Sequence, residues 1–190
     1  MKYLGLIISL FTFVLIGSSI VFAQTPSSAV SLSAGAIPSP VPVNYTLPYP
    51  GILPNNPLYF LKVLRDNIYS WIISDPLKKT EFDLLMANKR LQMGKYLIQE
   101  NKDNAALALS TISKGENYMS DAISKAQAAK AQGEDISSVV NELNLAIRKH
   151  AQVLYNLGPD IPASQRSELK TIQQTVSQLI HQASYLTNAK

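Results

Sequence analysis

From Asn56 to the end of the chain, apolar residues recur three or four apart, and no stretch alternates with the two-residue period of a strand. Leu61, Leu64, Ile68 and Trp71 put one apolar face on a first helix. Asn56-Pro57 reads as its start: Asn can cap free amides, and Pro at the first helical position loses no useful donor. Asp75-Pro76 repeats the device. Pro76 disfavours helical backbone in the residue before it, which predicts a corner, and the Asp75 charge suits the positive end of a second helix. In that helix Leu77, Leu84, Leu91 and Ile98 recur every seven residues, with Thr80, Ala87 and Gly94 three places after the first three of them. Large side chains alternating with small ones predict a seam that lets another helix come close. Gly94 costs roughly 1 kcal/mol of helix propensity against Ala, and close approach gives a reason for it.

Three more helices follow. Asn101 or Asp103 caps a third, which runs to about Gln132 on a seam of Ala108, Ile112, Gly115, Met119, Ala122, Ala126 and Ala129, with Gly133 as its stop. This seam is the natural partner of the Leu77 seam, and Asp121 with Lys125 reads as an i,i+4 surface pair. Asp135 caps a fourth, with Ile136, Val140, Leu143, Ile147, His150, Leu154 and Leu157 as its stripe and Gly158-Pro159 as its end. A fifth starts near Pro162 and carries Leu169, Ile172, Val176, Leu179, Ala183 and Leu186. Alternating spacings of four and three are those of left-handed bundle packing, and short turns make consecutive helices antiparallel neighbours. The expected fold is therefore all-α, an antiparallel bundle of about five helices in residues 48–190. A coiled-coil dimer is the alternative, and turn signals after about 25 residues of helix favour the bundle.

The first 47 residues are patterned differently. Met1-Lys2, the uncharged apolar run Tyr3 to Ile16 and the small residues of Val21-Phe22-Ala23 form a secretory signal pattern over residues 1–23. Tyr3 to Ala23 also just suffices to span a bilayer, so a retained anchor, and with it a membrane tether, is the competing reading. Residues 24–47 hold Pro26, Pro38, Pro40 and Pro42 among Ser, Ala, Val and Thr, with no charge and no periodicity, and read as a disordered Pro-rich linker. The chain has no cysteine, so disulfides play no part in its stability outside the cytoplasm.

Leu47-Pro48-Tyr49-Pro50-Gly51, Asn56-Pro57-Leu58-Tyr59-Phe60-Leu61-Lys62, Asp75-Pro76-Leu77-Lys78-Lys79 and Lys89-Arg90-Leu91 together resemble the domain of unknown function 5667 family, exported bacterial proteins of uncharacterised function. The likeness covers about Leu47 to Met119. It implies an exported all-helical domain and implies no activity.

Candidate chemistry is sparse. There are two histidines, and no Gly-rich phosphate loop, His-Glu-x-x-His or Gly-x-Ser-x-Gly motif. His150 lies on an apolar stripe, which suits a hydrogen-bonded core residue better than a ligand, and His181 falls off its stripe. The carboxylate pairs Glu100 with Asp103 and Glu134 with Asp135 fall at helix ends, where capping explains them. No catalytic residue, cofactor site or metal site is assigned. The net charge of +4 comes from cations spread among anions, without the basic run of a nucleic-acid binder.

Tyr45, Tyr49, Tyr59, Phe60, Tyr69 and Trp71 crowd one stretch. The plain reading is that the lead-in folds back and covers these rings, and the functional one is a sticky collar for a partner. Tyr49, Tyr59, Lys62 and Trp71 are the candidate partner-binding residues. The expected role is that of an exported, non-catalytic binding or structural protein of the bacterial cell envelope, acting on an envelope protein or polymer. The alternatives are an envelope-stress or metal-sensing periplasmic protein, a protein that binds the membrane surface through the Trp71 helix, and an enzyme of unrecognised type.

Overall fold

Five α-helices make up most of residues 41–188, the part of the chain that the structure, a computed structural model, describes. They are α1 (Tyr59–Ile72), α2 (Pro76–Glu100), α3 (Ala105–Ala131), α4 (Ser137–Leu157) and α5 (Arg166–Asn188). Among the described residues no strand forms. The segment read as signal or anchor, and the linker up to residue 40, lie outside the described residues.

The capping residues act as their chemistry dictates, with three small shifts. Asp75 accepts from the Lys78 amide at 2.9 Å with Pro76 at the first helical position. Asn56 and Asp135 each hold a turn instead of a cap. The Asn56 side chain accepts from the Leu58 amide at 2.8 Å and Asp135 from the Ser137 amide at 2.9 Å, so α1 and α4 begin later than expected. Asn101 does the same for Asp103 and opens a short 3-10 turn, Lys102–Asn104, before α3. Gly133 leaves α3 with φ +84, and the Glu134 amide reaches back to the Ala129 carbonyl, a left-handed C-terminal stop.

The tightest pairing is α2 with α3. The two run antiparallel, since Gly94 faces Ala108 and Ile112 while Gly115 faces Ala87 and Arg90. A Cβ on Gly94 would lie 2.4 Å from the Ile112 side chain and 2.9 Å from the Ala108 carbonyl oxygen, so close approach does require this glycine. The expected seams are buried in α2, except half-buried Leu77, and throughout α3, α4 and α5.

One expectation about neighbours fails. α3 meets α4 only sparsely and packs along α5, while α2 packs along α4. The short connection after Gly133 therefore crosses the end of the bundle, and the α2–α3 hairpin lies against the α4–α5 hairpin. The Asp121–Lys125 surface pair also fails to form; both charges lie close enough to act on Asp83 of α2.

The end of the stretch read as linker belongs to the packed unit. Tyr45 and Leu47 lie against the core, as does Leu53 beyond that stretch, the Val43 amide donates to Gln152, and Lys149 donates to the Val43 carbonyl.

Candidate functional site

α1 stands apart from the core, which α2 to α5 and their connections build. Its single buried residue is polar: Asp66, 4% exposed. At about 100° per residue, Tyr59, Lys62, Val63, Asp66 and Ser70 share the side turned inward. Phe60, Leu61, Leu64, Ile68, Trp71 and Ile72 fall in an arc of about 120° on the opposite side, and every one of them is exposed. An amphipathic helix normally turns its apolar stripe to the core. α1 does the reverse.

Polar contacts explain how the helix stays in place. Arg90 of α2 donates from Nη1 to the Tyr59 hydroxyl at 2.9 Å, and its guanidinium lies over the Tyr118 ring of α3. At the other end Lys79 of α2 donates to the Ser70 carbonyl and, at 2.7 Å, to its hydroxyl. Between them Asp66 accepts from Lys62 Nζ at 3.3 Å and from Arg65 Nη2 at 2.7 Å. Burial first, and then the Arg90 and Lys89 charges, lower the Lys62 ammonium below the ordinary lysine range, against the pull of Asp66.

Beside the apolar arc lies an open cleft between α1, α2 and the Pro50-Gly51 turn. Tyr49, Pro50, Gly51, Ile52, Leu61, Lys62, Arg65 and Lys89 line it. Gly51 takes φ +76, and the Lys62 stem runs 3.7 Å from where its Cβ would stand. Lys89 forms no ion pair among the described residues.

A second polar feature is buried where α2, α3 and α4 meet. His150, fully enclosed, faces Glu116 Oε1 from Nδ1 at 2.9 Å and Asn88 Oδ1 from Nε2 at 3.1 Å. Asn88 donates from Nδ2 to the Tyr45 hydroxyl at 2.8 Å, and that hydroxyl donates to Glu142 at 3.2 Å. Both ring nitrogens thus face a side-chain oxygen. Burial pushes the Tyr45 phenol up to about 12, helped by the Glu142 charge. The arrangement ties the lead-in to three helices. Both ring nitrogens of His150 are occupied, and among the described residues no three His, Asp or Glu side chains gather as a metal site.

The four candidate partner-binding residues separate. Tyr49, 79% exposed, and Lys62 meet in the cleft. Trp71, 86% exposed, stands on the outward arc nine residues beyond Lys62, and Tyr59 points inward to Arg90. Of the six clustered rings Tyr45 and Tyr59 are partly covered, while Tyr49, Phe60, Tyr69 and Trp71 stay exposed. The expected cover therefore fails for most of them, because α1 is held by its polar side. Spacing along the chain does not single out Arg65 and Lys89. The signal it does carry is the polar series Tyr59, Asp66 and Ser70, spaced seven and four, which marks a second helix face that needs partners of its own.

These features define an all-α protein with a four-helix core and one externally presented amphipathic helix. The family model for a domain of unknown function (DUF5667) matches residues 51–146, and the chain belongs to that family. The match covers α1, α2, α3 and the first half of α4, which includes the outward face and the cleft except for Tyr49 and Pro50. No curated protein and no solved structure matches the chain.

Proposed function

We propose that this is an exported, non-catalytic binding protein of the bacterial cell envelope, in which the α2–α5 bundle is the scaffold and the outward face of α1 is the docking element. The reading rests on the orientation of α1. Turning Leu61, Leu64, Ile68 and Trp71 to water forgoes the burial that usually holds an amphipathic helix, and contiguous exposed apolar surface of this kind marks interaction sites. Export is supported by the signal pattern of residues 1–23. The apolar arc itself favours docking over catalysis, and no comparable observation favours the metal-sensing alternative.

Photo-crosslinking in intact bacterial cells tests the reading. A photoreactive amino acid is placed at Ile68, at Trp71, or at the exposed Tyr185 of α5 as a control. Adducts with envelope material should form from positions 68 and 71 and stay near background from 185. Equal yields at all three positions, or none at 68 and 71, would remove α1 as the docking element.

A further inference from the structure

The docking face of α1 is bordered by charge of one sign, and that border identifies the chemistry of its partner. We propose that α1 docks on an anionic phospholipid surface, lying flat in the headgroup layer with its apolar arc toward the acyl chains and a lipid phosphate in the cleft lined by Lys62, Arg65 and Lys89. This rests on the reading of α1 as the docking element and adds what it docks on.

Three observations converge on a bilayer. The first is the residue set of the arc: aliphatic Leu61, Leu64, Ile68 and Ile72 with the aromatic Phe60 and Trp71, and Tyr69 exposed beyond the arc on the side of Arg65. Aliphatic and aromatic side chains on one face with cations beside them are what an interfacial helix presents, and Trp and Tyr concentrate at the headgroup level. The second is length. Fourteen residues make a helix of about 21 Å, short of the roughly 30 Å hydrocarbon layer, and no helix among the described residues is long and apolar enough to cross a membrane. A helix of this size lies on a bilayer.

The third is the charge border. Arg65 follows the apolar arc on one flank, and behind it the largely covered Lys62 and, from α2, Lys89 line the cleft. No carboxylate lines the cleft, and Asp66, buried beside it, is bonded to Lys62 and Arg65, so three positive charges against this one negative leave two in excess. Leu61 lines both the cleft and the arc, so a headgroup phosphate in the cleft would have its acyl chains beside the apolar face. A second copy of the chain is a poorer occupant. An antiparallel isologous contact through this face would bring Arg65 against Arg65.

Trp71 is the chain's single tryptophan, so its emission reports on α1 whatever other segments do. The full chain is titrated with vesicles of phosphatidylcholine alone and of phosphatidylcholine containing one third phosphatidylglycerol. With the anionic vesicles Trp71 emission should move to shorter wavelength and be quenched by lipids brominated in the acyl chain. Each cation at an anionic surface is worth about 1 kcal/mol, roughly fivefold in partition, so Arg65→Gln with Lys89→Gln should weaken binding by about 20- to 30-fold. The same change should remove most of the preference for phosphatidylglycerol. Leu64→Ser with Ile68→Ser should lose the shift while helix content stays unchanged by circular dichroism.

No shift with anionic vesicles, or an equal response from the wild type and the Leu64/Ile68 variant, overturns the proposal. So does a shift that grows with protein concentration in the absence of vesicles, which identifies a second copy as the occupant. Free inorganic phosphate that changes Trp71 emission as the vesicles do would also overturn it, by assigning the cleft to a soluble anion. If the crosslinks from positions 68 and 71 run to an envelope protein while the vesicles give no shift, α1 remains the docking element and the lipid assignment alone fails.

Discussion

At the scale of single residues, the enclosed His150–Glu116 pair should be sensitive to partial removal. Glu116 Oε2 is buried without a hydrogen-bond partner, so the pair is held by one contact on each side of the ring. Removing one member of a buried pair strands the other, at a cost of about 3–5 kcal/mol, whereas replacing both with apolar groups of similar volume is often close to neutral. His150→Leu and Glu116→Leu should each lower unfolding free energy by about that amount. The double variant should be more stable than either single one, although Asn88 then loses its Nε2 partner. Urea unfolding of the four proteins of the cycle checks this, and additive losses would show that the two side chains are not coupled. Tyr45 offers a separate readout. Its folded phenol titrates near 12, above the ordinary tyrosine value near 10, so the native state holds this proton more tightly than the unfolded chain. The stability it contributes is complete below pH 10 and is lost as pH rises toward 12. Tyr45→Phe should flatten that alkaline decline in thermal unfolding, and an unchanged slope would count against the assignment.

At the scale of elements, the α2–α3 seam could be read directly from spacing, and its strictest position can be tested. Gly94→Ala gains up to roughly 1 kcal/mol of helix propensity. It also places a methyl group inside the contact distance of Ile112 and of the Ala108 carbonyl, and backbone oxygen cannot step aside as a flexible side chain can. Overpacking of this kind costs typically about 1–3 kcal/mol. The clash should win, and thermal unfolding should begin several degrees lower; a rise in the melting temperature would mean that the helices part without penalty. The five helices were legible because their seams repeat at 3.6-residue spacing and because Asp75, Gly133 and Gly158-Pro159 break the pattern where they must. The orientation of α1 was not. Its periodicity predicts an apolar face, and periodicity carries no sign for which way a face turns. Arg90 and Lys79, which hold the other face, come from a different helix and cannot be paired with Tyr59 and Ser70 from spacing alone. The Asn88–Glu116–His150 cluster escaped for the same reason: three residues 28 and 34 positions apart meet only when the helices are packed.

At the scale of the whole molecule, one buried carboxyl should contribute to stability over the acid range with a sign opposite to the usual one. Asp83 of α2, 3% exposed, is raised to about 6 from the ordinary carboxylate value of 3.8. Burial is the main cause, Asp121 of α3 adds to it, and Lys79 and Lys125 oppose it. Most proteins lose stability as their carboxylates are protonated, because those groups are paired in the native state. Here the folded carboxyl holds its proton more tightly than the unfolded one. The favourable contribution is therefore fully present below about pH 4 and is lost as pH climbs through 6. A rise of that size corresponds to a few kcal/mol at most, on the order of 2–3, and solvent screening at the edge of the interface reduces it. Above pH 6 an ionised Asp83 is a burden on the α2–α3 interface, relieved only in part by Lys79 and Lys125. Asp83→Asn keeps the shape and removes the titration. In guanidinium titrations from pH 4 to 7 the difference in unfolding free energy between Asp83→Asn and the wild type should grow in favour of the variant as pH rises, with its midpoint between 4 and 6. Other carboxylates shape both curves alike and cancel in the difference. A difference that stays flat across this range would mean that Asp83 ionises in the fold as it does in water, with Lys79 and Lys125 offsetting the whole effect of burial.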